Sequence, residues 1–396
     1  MFDPAVDRSG QRAAVGVRLS AGLSAGWPKV RRAAQVRSSG AAVSGRSAIG
    51  RSEVGEAVEL TVHGKQVRIS SPDKAYFPDV GLSKLDVVRY HLDVAEQLLP
   101  HCLDRPCNLE RYPDGVGGKS FMQKRVPDSR PDWLRTVEVT FGSGNTAEEL
   151  CPASMADVVW SVNLGAITVH PWSLRVHEDQ DGDVVAEEPD ELRVDLDPGP
   201  GADWGTVVEV TRVVGEVLEE QDIVGYAKTS GSTGMHVLVR IEPRPYIQVR
   251  AAAVALAREA ERRRPDLATA SWWKEERPDG TVFLDFNQNL WDRTMACAYA
   301  VRPTPDARVS LPITWDELDD VDPADATVLT VPELLEERGD PMAGLDEVAH
   351  DLDGLLDLAE RDREAGLPDL PLPPHYPKFP DEPLRVPPSR RADRDR

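Results

Sequence analysis

ELRVDLDPGPG, residues 191–201, carries two aspartates one residue apart at the end of an apolar run, which then breaks at Pro-Gly-Pro-Gly. Side chains alternate along a strand, so Asp195 and Asp197 share one face while Val194 and Leu196 enter the core on the other. Like charges ~7 Å apart on one face repel each other. Divalent cations would remove that cost, and an all-oxygen site suits Mg²⁺ or Mn²⁺. A solvated edge strand would carry the same pattern without any metal. Two further stretches favour the ion. TVFLDFNQN, residues 281–289, is a second apolar strand ending in an acid, Asp285. Three carboxylates from two strand ends can hold two metals ~4 Å apart for in-line attack at phosphorus. KTSGSTGMHVLV, residues 228–239, is a Gly/Ser loop entering a strand, whose N–H groups and hydroxyls could cradle phosphate oxygens. It is not a Walker-type loop, because no Lys-Ser/Thr follows its last glycine. Taken singly, Ser230 fits an ordinary turn and His236 a core histidine; together the three motifs describe a nucleotidyl-transfer site.

The whole chain bounds this reading. At 396 residues and 40% hydrophobic content, it has room for two or three domains, or for one enzyme of two lobes. A net charge of −22 argues against a surface that is basic throughout, so nucleic-acid contact requires a local patch. Cys102, Cys107, Cys151 and Cys297 form no C-x-x-C pair and have no histidine at zinc-ligand spacing, which predicts buried reduced thiols. No apolar run reaches the ~18 residues of a membrane span, and the expected location is cytoplasmic, at the nucleoid.

Residues 1–52 hold nine Lys and Arg against two Asp with almost no periodicity, and are expected to form a disordered basic arm. Residues 53–366 interleave strands with helices, the mark of an α/β (α+β) protein. Within them, VELTVHGKQVRIS predicts short strands, the stretch after GLSK a helix, and WGTVVEVTRVVGEVLEEQDI and YIQVRAAAVALAREAERRR long helices. Residues 316–364 carry eighteen acids against three arginines and read as solvated helical faces. Residues 367–396 are proline-rich, end in arginines, and read as an extended tail with at most local packing.

The motifs SPDKAYFPDVGLSKLDVVRYH, RYPDGVGGKSFMQKRVPDSRPDW, VHPW, DLDPGPG, TSGSTGMHV, DFNQN and AYAVRPTPDARVSLPITWDEL follow one another between about Ser70 and Gly366. In that order they resemble the archaeo-eukaryotic primase superfamily, specifically the polymerase domain of bacterial ligase D and its stand-alone actinobacterial relatives. The resemblance implies a two-lobed primase-polymerase fold with an RRM-like catalytic sheet. It implies that Asp195, Asp197 and Asp285 bind two divalent ions, often Mn²⁺, and carry catalysis. It places His170, Ser230, His236, Gln288 and Arg302 around the incoming nucleotide, with ribonucleotides favoured. It places Lys74 and Lys84 at the 5′-phosphate of a gapped or broken DNA end. Phe121 matches one of two aromatics that stack on the template, and Arg111 and Lys124 belong to the basic strip around it, a local answer to the overall charge.

The implied activity is template-dependent addition of nucleotides to primer 3′-OH ends at short gaps or breaks in DNA repair. One metal would lower the pKa of the 3′-OH while the other holds the triphosphate and the leaving pyrophosphate. A primase that starts chains de novo would use the same site, and an idle nucleic-acid-binding repair partner is the reading outside enzymology. The Ku end-binding protein and a separate ligase are partners by resemblance. Three positions depart from the family. Thr233 stands where many relatives have Lys, Met122 replaces the second stacking aromatic, and LWDRT, residues 290–294, replaces a Gly-Lys-Thr-like segment, with Arg293 keeping the charge.

Overall fold

The structure is a computed structural model that describes residues 56–141, 145–178, 184–186 and 188–373. The expected basic arm, residues 1–52, and residues 374–396 of the tail lie outside them.

The strand Glu191–Pro198 is the centre of a six-stranded sheet. It pairs antiparallel with Met235–Arg240 on one side and Val282–Leu284 on the other. Beyond Met235–Arg240 lie Tyr226–Thr229 and then Pro312–Ile313, and outside Val282–Leu284 lies the short parallel strand Ala268–Thr269. The helix Trp204–Glu219 joins the first strand to the second, and Tyr246–Arg263 leads from the third toward the fourth. The motif is thus βαββαβ, with its strands in the spatial order fourth, first, third, second. This is the RRM-like sheet that the resemblance implies. Leu192, Val194 and Leu196 are buried beneath the two helices, whose own apolar stripes include Val207, Val210, Val214 and Val217 on one and Val249, Ala253 and Leu256 on the other. The opposite face of the strand is therefore left to Asp195 and Asp197.

The N-terminal part opens with the hairpin Val58–Val62/Lys65–Ile69 and the helix Lys84–Asp93, which begins in a reciprocal capping box between Ser83 and Asp86. A second sheet contains Phe121–Gln123 at its edge, then Cys107–Arg111, Thr146–Leu150 and Thr136–Thr140, with Ala166–Pro171 paired to Cys107–Arg111. The segment 294–302 joins the two sheets. Met295 and Cys297 N–H groups donate to Pro171 and Val169 carbonyls, and Thr168 donates to Val301.

A buried ion network ties the start of the central strand to the rest. Arg105, fully buried, reaches Asp190 at 2.6 Å and Glu191 at 2.8 Å; Arg193 holds the other oxygen of Glu191 at 2.7 Å and the Pro171 and Trp172 carbonyls at 2.8 Å. All four cysteines are buried and unbridged. No helix among the described residues is long and apolar enough to cross a membrane.

Candidate active site

Strand register and one capped turn assemble the acids. Asp195 lies opposite His236 in the antiparallel pair, and Asp197 opposite Phe283. Just past the fourth strand, the Asp285 N–H donates to the Asp195 carbonyl at 2.8 Å, placing its side chain beside the central strand. Asp285 caps the short turn Phe286–Asn289 by accepting the Asn287 N–H at 3.0 Å. Asn289 pins the turn to Arg193 through both backbone groups, at 2.8 and 2.7 Å. One carboxylate oxygen from each of Asp195, Asp197 and Asp285 lies within 4.8 Å of the others.

The electrostatics of this cluster call for a cation. Burial raises Asp195 to about 6 and Asp285 to about 6, the latter with help from the Asp195 charge. Asp197 reaches solvent, yet its packed surroundings and its two acidic neighbours push it to about 7. Three converging carboxylates that resist ionising together form a hard, all-oxygen donor set. The residues present therefore fit divalent ions.

Around the acids, Gln288 donates to Asp195 at 3.1 Å and to Asp285 at 3.4 Å. His236 Nε2 is 3.3 Å from Asp195 Oδ1, and its Nδ1 is 2.6 Å from Lys228 Nζ. Lys228 is fully buried and also donates to the Ala296 carbonyl and to Ser310 Oγ. Burial lowers Lys228 to about 7; in its ammonium form it can only donate, which makes Nδ1 the acceptor and leaves the proton on Nε2, aimed at Asp195. Lys228 was not evident in the sequence as a site residue. Its one signal was a lysine inside an apolar strand, two residues before Ser230.

His170 Nε2 lies 3.2 Å from Glu110, which also accepts from Tyr112 at 2.7 Å. The His170 bond is the main reason that the Glu110 carboxyl falls to about 2. Burial lowers His170 itself. Arg302 passes over Gly231, where a Cβ would strike its Cγ and where φ is +68°; only glycine serves there. Arg302 is largely buried, its Nε has no partner among the described residues, and the Glu110 and Asp195 charges both act on it. A guanidinium keeps its charge in such surroundings, so Arg302 adds positive potential beside the acids.

Ser230 is brought to the site but faces its own loop. Its Oγ accepts the N–H groups of Ser232 and Gly234 at 3.2 and 3.1 Å, so these donors close the hairpin. Gly234 must be glycine because a Cβ would collide with the Leu196 carbonyl. Thr233 is exposed at the tip.

The basic strip is more varied than its sequence suggests. Lys74 pairs with Asp114 at 2.9 Å on the surface. Lys84 is only 5% exposed; its ammonium donates to the Ser70 and Asn163 carbonyls at 2.7 and 3.1 Å, and burial lowers it to about 8. Arg111 donates to Leu164 and Gln123 and lies 5.3 Å from the Phe121 ring. Phe121 and Met122 are 47% and 50% exposed. Phe121 lies opposite Arg111 and Met122 opposite Glu110, so alternation sends them to different faces. Met122 thus shares the face of Glu110 and His170. Lys124 lies 3.7 Å from the Phe141 ring centre.

In the departing segment, Trp291 donates to the Thr140 carbonyl at 2.5 Å and packs edge-on to Trp172 at 5.3 Å, while Arg293 acts electrostatically on Asp285. The changed sequence joins the Asp285 region to the N-terminal sheet.

A βαββαβ sheet whose central strand and adjoining turn converge three acids, beside a glycine-rich hairpin and Arg302, defines a primase-polymerase type of protein. The chain belongs to the family described as LigD, primase-polymerase domain, which it matches over residues 83–342. It is 31% identical over 318 residues to the multifunctional non-homologous end joining protein LigD of Mycolicibacterium smegmatis, covering 79% of this chain and 40% of that protein. It is 33% identical over 258 residues to the protein of the same name in Mycobacterium bovis, covering 65% and 34%. Among solved structures, it resembles the polymerase domain from Mycobacterium tuberculosis ligase D in complex with DNA. That match has a TM-score of 0.66 and 31% identity, and covers 70% of this chain and 97% of that one. The chain thus spans about two fifths or less of the length of these curated relatives.

Proposed function

We infer that this protein is a template-dependent nucleotidyltransferase that extends primer 3′-OH ends at short gaps or breaks in DNA, preferring ribonucleotides, as part of end-joining repair. The observation that carries this reading is the convergence of Asp195, Asp197 and Asp285 within 4.8 Å, beside Arg302, whose buried Nε has no partner among the described residues. The three acids would hold two Mn²⁺ or Mg²⁺ ions, whose chemistry is to activate the attacking hydroxyl and neutralise the triphosphate.

The chain's own residues orient and neutralise. Gln288 tethers Asp195 to Asp285 and keeps both aimed at one point. Lys228, when charged, holds His236 in the tautomer that donates to Asp195. Arg302 offers its charge to the triphosphate, and His170, held by Glu110, stands beside the nucleotide. Met122, on that same face, would pack against the base pair being formed, and Phe121 against the template strand beyond it. Lys74 would exchange Asp114 for the 5′-phosphate of the downstream end. DNA, nucleoside triphosphates, Ku and a separate ligase are the partners this reading implies.

The test pairs two substrates with Mn²⁺ and each of the eight ribo- and deoxyribonucleotides. One is a primer on a short gap with a downstream 5′-phosphate, the other an unprimed single strand. Extension confined to the gap, stronger with ribonucleotides and weakened when the phosphate is removed, is expected. Products on the unprimed strand would make it a primase, and no product on either would overturn the assignment.

A further inference from the structure

The first residues of the proline-rich tail touch the back of the turn that carries Asp285 and Gln288. Arg250, on the helix Tyr246–Arg263, is buried there. Its Nε donates to Asn287 Oδ1 at 2.8 Å, and its Nη2 donates to the carbonyls of Leu370 and Pro371 at 3.1 and 3.3 Å. The guanidinium lies 5.1 Å from the Phe286 ring centre. Asn287 in turn gives its N–H to Asp285 Oδ1. On either side, Arg258 donates to the Pro368 carbonyl at 2.6 Å, and Leu372 is buried against Leu290, the residue just past the turn.

A buried guanidinium has to find acceptors, and an arginine left without them must move or disturb its neighbours. Here the tail supplies two of the three acceptors named above, and the catalytic turn supplies the other. These tail residues lie beyond residue 342, where the family match ends. The sequence had suggested a tail that packs at most locally; residues 368–372 instead reach the support of the metal-binding turn.

We propose that Arg250 is a positioning residue for Asp285, acting through Asn287, and that Leu370 and Pro371 hold Arg250 in place and so belong to the metal site. The proposal rests on reading Asp285 as a metal ligand. Groups that orient ligands commonly change metal affinity or activity 10–100-fold when removed.

The experiment uses the full chain, Arg250→Met, Arg250→Lys, a chain ended after Asp369, and Arg258→Met, which loses a tail contact but none to the turn. Mn²⁺ affinity is measured by calorimetry on the protein alone, alongside kcat and KM for primer extension and the melting temperature. Arg250→Met and the shortened chain should each bind Mn²⁺ about 10-fold more weakly or worse and lose kcat comparably, with nucleotide KM within about twofold. Arg250→Lys should recover part of both losses, and Arg258→Met should change only melting. Wild-type Mn²⁺ affinity in a cooperatively melting Arg250→Met would overturn the proposal; if that variant does not fold, the same result in the shortened chain would do so. Wild-type protein that binds Mn²⁺ but extends nothing would sink the polymerase reading, while the affinities still decide this one. Wild-type protein that binds no Mn²⁺ would sink both.

Discussion

The acidic site and the basic strip are built in opposite ways. At the acidic site, like charges converge on a partly exposed strand face, and each of the three carboxyls is held above its usual range. Along the strip, the cations already have partners: Lys74 has Asp114, Lys84 two carbonyls, and Arg111 Leu164 and Gln123. The first region is frustrated until a cation arrives, whereas the second is stable alone and offers Phe121 and Met122 as exposed apolar surface beside the exposed Lys119, Lys124 and Arg125. The comparison teaches that chemistry should depend steeply on individual acids, while DNA binding should be spread over weaker contacts.

The largest effect should come from the acids. Asp285→Asn removes a charge and keeps the shape, and should lower extension on the order of 10³-fold or more without changing gel-shift affinity for gapped duplex. A loss below tenfold would place Asp285 outside the metal site.

Next comes pH. The acids have folded pKa values above their ordinary range, so without metal they favour the folded state while protonated. That contribution is present below about pH 4 and is lost as pH rises through about 6 to 7. A divalent ion reverses the balance, because it binds the ionised form. Mn²⁺ should therefore raise the melting temperature more at pH 8 than at pH 5.5, and its affinity should fall as pH drops through that window. A melting shift independent of pH would break the contrast.

Smaller effects separate the two exposed side chains. Phe121→Ala should weaken binding to template by about 1–3 kcal/mol, the range for one stacked base, with kcat little changed. Met122→Ala should instead raise nucleotide KM, because Met122 faces Glu110 and His170. Equal effects on both parameters would mean the two act as one platform.

The smallest effect on chemistry separates the two lysines. Lys84→Met removes the buried ammonium that joins the Ser70 and Asn163 carbonyls, two charge-assisted hydrogen bonds, and should cost about 1–3 kcal/mol of stability, read as a lower melting temperature. Lys74→Met should leave melting alone and lower the salt dependence of DNA binding by about one phosphate contact. If Lys84→Met changed end binding and not melting, Lys84 would belong to the phosphate site.

Much of the acidic site was legible because it depends on local rules. Period-two alternation put Asp195 and Asp197 on one face, and an apolar strand end marked Asp285. The sheet order could be expected only through resemblance, since antiparallel register is set by distant segments. Lys228 and Glu110 escaped notice because each owes its role to a cross-strand neighbour, His236 in one case and His170 in the other. Ser230 was read as a hydroxyl facing phosphate; local hydrogen bonding turned it to the Ser232 and Gly234 N–H groups. The tail escaped for a related reason. Composition describes how a segment behaves in water, and says nothing of a buried arginine awaiting its carbonyls.

The most direct test of the central claim is single-turnover extension of a gapped duplex across a Mn²⁺ titration, with wild-type protein and Asp197→Asn, and gel shifts on the same substrate. The account predicts Mn²⁺-dependent extension by wild type, none above background by Asp197→Asn at any Mn²⁺ concentration, and equal shifts for both. Extension by Asp197→Asn at the wild-type rate would contradict it.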